Sequence, residues 1–161
     1  MSNVVAKQTD AGYWYEQRDI SQAEHSGTHT DAPAHFYKGS WHTADIPLDH
    51  LVAPGVKIDI EERAEADPDT ELTVADVKAW EDEHGVIPRG SIVVVHTGRG
   101  KLYGDKQRYF GRPDGVTDDR DTEHLHFPGV SAHAAQWLVD RRGVVGVAID
   151  TPSTDQVTCQ L

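Results

Sequence analysis

The sequence predicts an α/β fold, and three observations carry that prediction. Ser91-Ile92-Val93-Val94-Val95-His96-Thr97-Gly98 and Val144-Val145-Gly146-Val147-Ala148-Ile149-Asp150 are short apolar runs of the kind a parallel sheet buries on both faces. Each follows a segment whose apolar residues recur at helical spacing, so that helix-then-strand is the repeating unit. No internal repeat, low-complexity tract or Gly/Ser linker divides the 161 residues, which suit one α/β domain over 1–161, or part of one.

Taken in order, 12–20 carries Tyr13, Trp14 and Tyr15, strand-favouring aromatics expected to pack rather than to stack on a ligand. Residues 24–36 have neither a helical face nor strand alternation. Residues 46–55 hold apolar anchors between two prolines and read as a packed connection ending in a turn. Residues 56–60 alternate apolar and polar, the pattern of a half-buried strand, and the acidic stretch 61–71 reads as a solvated loop. Thr73 and Asp76 stand at capping-box spacing, Val74, Val77 and Trp80 form one face, and Gly85 stops the helix after about His84. Beyond the first buried strand, 99–123 is a long charged loop with Tyr103, Tyr109 and Phe110, and His124 and His126 then alternate like strand neighbours. Ser131 caps a second helix, with Ala134, Ala135, Trp137, Leu138 and Val139 on its apolar face, His133 on its exposed side and Gly143 at its end.

Composition narrows the partners. A formal charge of −12 repels phosphate backbones and anionic lipid alike, so nucleic acid and membrane surfaces are not expected partners. A single cysteine, Cys159, rules out an internal disulfide framework, no run approaches the ~20 apolar residues of a membrane helix, and the N-terminus lacks a signal-peptide core, so a cytoplasmic location is expected. With 37% hydrophobic residues the core is lean, and completion by a partner subunit, as in a homo-oligomer, fits that composition.

The chemistry concentrates in Glu24-His25-Ser26-Gly27-Thr28-His29-Thr30-Asp31-Ala32-Pro33-Ala34-His35-Phe36. His25 and His29 are four residues apart with Asp31 two beyond, a set able to converge two imidazoles and a carboxylate on one cation, with Zn2+ or Mn2+ both acceptable. His35 is left over and could carry a proton beside such an ion, while the ion makes water acidic enough to attack a carbonyl. His96, at the end of a buried strand, and His126 are candidate substrate-binding residues, because polar groups there often face a ligand crevice. The chain has no Gly-x-Ser-x-Gly elbow, no paired-cysteine zinc motif and no phosphate loop, which argues against serine hydrolases, zinc fingers and nucleotide binders.

At these residues the chain resembles the cyclase-like metal-dependent hydrolases, the family of bacterial kynurenine formamidase and isatin hydrolase. The family motif His-x-Gly-Thr-His-x-Asp-x-Pro-x-His is matched from His25 to His35, and the resemblance extends through Ile46-Pro47-Leu48 and His126-Phe127-Pro128-Gly129-Val130-Ser131 to Ile149-Asp150-Thr151-Pro152-Ser153-Thr154-Asp155. It implies a swivelling β/β/α domain, commonly homodimeric or larger. His25, His29 and Asp31 would hold the first metal, Asp31 could bridge to a second, and His35 would be catalytic. The chain is shorter than the family pattern at both ends, and the further histidine and glutamate that complete the family's metal site fall beyond Leu161.

The resulting expectation is a metal-dependent amidohydrolase of arylformamidase type, acting on N-formylkynurenine in tryptophan catabolism. Isatin or another cyclic amide is the alternative small-molecule substrate. A catalytically silent, truncated member that acts through subunit pairing, and a plain metal-binding module, are the non-enzymatic alternatives.

Overall fold

In the computed structural model, which describes residues 2–116 and 124–155, contacts divide the chain into two units, Met1–Ile46 and Pro47–Leu161. The N-terminal unit opens with β1 (Ser2–Gln8) and β2 (Trp14–Asp19), an antiparallel ribbon whose register shifts between Asn3 and Val5. The sequence predicts β2 but no strand ahead of Gly12. Two 3-10 turns, Pro33–His35 and Thr43–Asp45, follow. No residue from 5 to 46 is buried, and Tyr13, Trp14 and Tyr15 are exposed rather than packed. A two-stranded ribbon has too little apolar surface to form a core of its own.

The C-terminal unit contains the core. After the single turn α1 (Leu48–Leu51) come β3 (Gly55–Asp59), α2 (Glu61–Ala66), β4 (Glu71–Leu72) and α3 (Val74–His84). Then follow β5 (Ile92–His96), α4 (Lys106–Tyr109), β6 (Gly129–Val130), α5 (Ala132–Trp137) and β7 (Gly146–Ile149). Strands β3, β5 and β7 form a parallel sheet with β5 in the centre, and β4 pairs with β6, also in parallel. Val93 and Val95 of β5 are fully buried, while β3 alternates, burying Val56 and Ile58 and exposing Lys57 and Asp59. Val77 of α3, Leu72, Ile87, Ala134 and Leu138 complete the core, and Trp80 packs against it partly buried.

The helix boundaries have local causes. Thr73 accepts from Asp76 N–H, and Asp76 accepts in return from Thr73 N–H, so both halves of the capping box form at α3. Gly85 ends α3 at φ +90°, a conformation that side chains resist. The acidic stretch expected as a loop instead contains α2. Asp59 accepts from Glu61 N–H, and Glu61 and Glu62 stand in the first turn, where carboxylates suit the helix dipole. The second helix continues from α5 through a π turn, Leu138–Arg142, to Gly143. His124 and His126 lie outside any strand, since β6 begins only at Gly129. Of the long loop, Arg99–Leu102 forms a 3-10 turn ahead of α4. Residues 117–123, with Cys159, lie outside the described residues.

Candidate functional site

The N-terminal unit brings His25, His29 and Asp31 together. One Asp31 carboxylate oxygen lies 2.7 Å from His25 Nδ1 and 3.1 Å from His29 Nε2, and those two nitrogens are 3.4 Å apart. Ligand atoms around a tetrahedral zinc with bonds of about 2.1 Å stand roughly 3.4 Å from one another, so the triangle is close to that size and slightly contracted.

The hydrogen bonding of the triangle shows what it lacks. His29 Nδ1 lies 2.8 Å from the carbonyl oxygen of Gly27, which can only accept, so that nitrogen carries a proton. In the neutral ring, Nε2 then turns a lone pair toward a carboxylate oxygen that also offers lone pairs. Such a face is satisfied by a cation. The bond to Gly27 is also the kind of outer contact that fixes the orientation of a metal-ligating imidazole. Gly27 reaches this position at φ +67°, which explains why glycine stands between the two histidines. No lysine or arginine pairs with Asp31 among the described residues.

His35 stands beside this triangle without joining it. Placed by the Pro33–His35 turn, its ring stacks on His25 with centroids 3.7 Å apart and planes 26° from parallel, and the Phe36 ring lies tilted against it with centroids 4.2 Å apart. The three candidate ligands are exposed to solvent.

The other two sequence-selected histidines lie in the C-terminal unit, each paired with a carboxylate that sequence reasoning missed. His96, at the end of β5, is the register partner of Asp59 at the end of β3, and its Nδ1 is 3.0 Å from Asp59 Oδ2. Glu61 joins them, so donor atoms of Asp59, Glu61 and His96 lie within 4.8 Å of one another. Lysines already neutralise this group: Lys57 bonds Asp59 at 2.9 Å, and Lys101 bonds Glu61. The Lys57 ammonium, and after it the Glu61 N–H, holds the Asp59 carboxyl well below the usual carboxylate range. His126 Nδ1 pairs with Asp69 at 2.9 Å. Positions 59 and 96 are 37 residues apart, and only the parallel register of two equal strands makes them neighbours.

Asp150, just past β7, accepts from Thr97 N–H and the Thr97 hydroxyl, both at 2.8 Å, and from Gly100 N–H at 3.1 Å. Burial works to raise its pKa, but these bonds outweigh burial and leave it below the ordinary value. Its role is to hold the turn after β5.

The cyclase family model matches residues 2–156. The chain belongs to the cyclase family. Among relatives in that family, an isatin hydrolase of Roseibium aggregatum is 35% identical over 136 residues, which are 82% of this chain and 48% of that protein. Isatin hydrolase A from Labrenzia aggregata, solved with benzyl benzoate, superposes with a TM-score of 0.80 at 29% identity, over 96% of this chain and 58% of the other. Isatin hydrolase A from Ralstonia solanacearum gives a TM-score of 0.77 at 30% identity, over 96% and 57%. The α/β architecture is therefore that of the cyclase family, and the chain spans about half the length of these relatives. No helix among the described residues is long and apolar enough to cross a membrane.

Proposed function

We propose that this chain carries the metal-binding portion of a cyclase-family amidohydrolase, with His25, His29 and Asp31 as ligands of Zn2+ or Mn2+ and His35 as the catalytic proton carrier. The observation that carries this reading is the acceptor-rich face at Asp31, where the His29 proton is committed to Gly27 and no ammonium or guanidinium group among the described residues stands in. A bound divalent cation supplies polarisation of the substrate carbonyl and a water acidic enough to attack it at neutral pH. The chain's own residues do the rest. Gly27 holds the His29 ring in place, and stacking on His25 keeps the His35 imidazole beside the ligand set, where it takes a proton from the attacking water and returns it to the departing amide nitrogen.

The names of the similar proteins favour a cyclic amide such as isatin as substrate, and N-formylkynurenine is the second amide the same chemistry would open. We further propose that residues 1–161 act as one domain, assemble as a homo-oligomer and work in the cytoplasm. His96 and His126 are proposed as substrate contacts, each oriented by a carboxylate that engages its Nδ1.

The test is turnover of isatin and of N-formylkynurenine, side by side, by protein loaded with zinc or manganese. Isatin ring opening is expected, and His35→Ala should lower kcat about 10²–10⁴-fold while the metal stays bound. Loaded protein that turns over neither substrate would sink the hydrolase reading in favour of a silent family member.

A further inference from the structure

In the C-terminal unit, the chain leaving β5 passes over a cavity of about 370 Å³. Its position, at the carboxyl end of a parallel strand, is where open α/β sheets place their ligands. The charges around it run against the rest of the molecule. The whole chain has 15 Lys and Arg against 27 Asp and Glu, yet Arg99, Lys101 and Arg108 line this cavity against only Glu61 and Glu65.

Among the described residues, two of the three cations have no carboxylate partner. Lys101 is committed to Glu61. Arg99 is held rigidly, its Nε donating to the Tyr109 carbonyl at 3.0 Å and its Nη2 to the His126 carbonyl at 2.5 Å, both neutral acceptors. Burial pushes its pKa down. Asp69 opposes that shift from a distance and Arg108 reinforces it as a like charge. The Asp69 carboxylate is itself bonded to His126. No carboxylate pairs with Arg108 among the described residues. Two neighbouring guanidinium groups, Arg99 partly buried and Arg108 exposed, therefore border the same cavity with no carboxylate bonded to either among the described residues, and an anion between them would relieve their mutual repulsion.

We propose that this cavity binds a small monocarboxylate with an apolar body, its carboxylate taken by Arg99 and Arg108 and its body resting on Ala64, Leu102 and Pro128. Guanidinium groups suit a carboxylate because their planar fork matches its two oxygens. Among the lining residues, with Lys101 and Glu61 cancelling, two guanidiniums stand against one remaining carboxylate, Glu65, while Asp69 acts on Arg99 from outside the lining, a balance that suits a single negative charge better than a dianion such as phosphate. The site lies wholly in the C-terminal unit and does not depend on the metal ligands or on the hydrolase reading.

Isothermal titration with phenylacetate, phenylacetamide and inorganic phosphate tests this on wild-type, Arg108→Glu and His29→Ala proteins. Phenylacetate should bind the wild type at least about tenfold more tightly than its neutral amide or phosphate, since charge-assisted bonds to the guanidiniums are lost in one case and mismatched in the other. Arg108→Glu, an exposed position, should weaken phenylacetate by at least about tenfold, and His29→Ala should leave it unchanged. No binding of phenylacetate, equal binding of phosphate, insensitivity to Arg108→Glu, or loss of binding in His29→Ala would each overturn the proposal, the last by placing the carboxylate on the metal.

Discussion

Asp31 and Asp59 are both aspartates on the protein surface with a histidine nitrogen close by, at 2.7 Å and 3.0 Å, and each belongs to a cluster that could in principle hold a cation. Their surroundings differ in two respects. Asp59 stands at the end of a strand with the core beneath it and has Lys57 beside it, while neighbouring Glu61 has Lys101. Asp31 stands on a loop in a unit with no buried residue from 5 to 46, it has no lysine or arginine partner among the described residues, and the proton of its second histidine is committed to Gly27. The difference teaches that matching ligand types do not by themselves make a metal site. On the proposed reading, what sets the Asp31 cluster apart is that no lysine or arginine among the described residues compensates it, so that a cation would.

The largest expected effect follows directly. Asp31→Asn should lose metal by more than the 10–100-fold typical of outer-shell changes, whereas His96→Ala should keep the wild-type metal content. Elemental analysis of the purified variants after dialysis checks both. Metal retained in Asp31→Asn, or lost in His96→Ala, would break the contrast between the clusters.

That contrast also marks how far the sequence can be understood alone. The clustering of His25, His29 and Asp31 was legible because these residues lie within seven positions of one another and belong to a long motif, so local order suffices to assemble them. The strands were legible for a similar reason: runs as apolar as Ile92–His96 and alternation as regular as Gly55–Asp59 leave little choice of burial. Thr73 and Asp76 announced α3 through a contact three residues apart. The Asp59–Glu61–His96 group was not legible, because it exists only once β3 and β5 pair in register, and the lysines that neutralise it reach it from elements up to 40 residues away. Nor was α2, whose acidic sequence suits a solvated loop as well as a helix until the Asp59 side chain bonds the first free N–H. The exposure of Tyr13 to Tyr15 was misjudged because strand propensity reports a pleated surface without saying whether anything covers it.

A second measurement sharpens the same contrast through packing. Ile58, adjacent to Asp59 on β3, is only 2% exposed, so Ile58→Ala should cost about 2–5 kcal/mol through lost burial and the cavity left behind. Phe36, adjacent to His35, is 74% exposed, and Phe36→Ala should change global stability by no more than about 0.5 kcal/mol. Denaturant midpoints compare the two, and a costly Phe36→Ala would show that the N-terminal unit is held by packing against something that covers this ring.

The smallest effect concerns the neutralised cluster itself. The Lys57 ammonium and the Glu61 N–H lower the folded-state pKa of Asp59, so its contribution to stability is fully present above the unfolded value of about 3.9 and is lost as pH falls through the lower folded value. Because the Asp59 side chain is 50% exposed, solvent screens its ion pair and the contribution should stay below about 1 kcal/mol. Asp59→Asn should therefore be slightly less stable than the wild type at neutral pH. The gap should narrow below about pH 4, where the unfolded state takes up a proton at this carboxylate before the folded state does, and should also shrink in high salt. A gap that persisted in acid could not come from the carboxylate charge and would remove charge compensation as the property that separates Asp59 from Asp31, since the bond to the start of α2 is one that an asparagine oxygen also accepts.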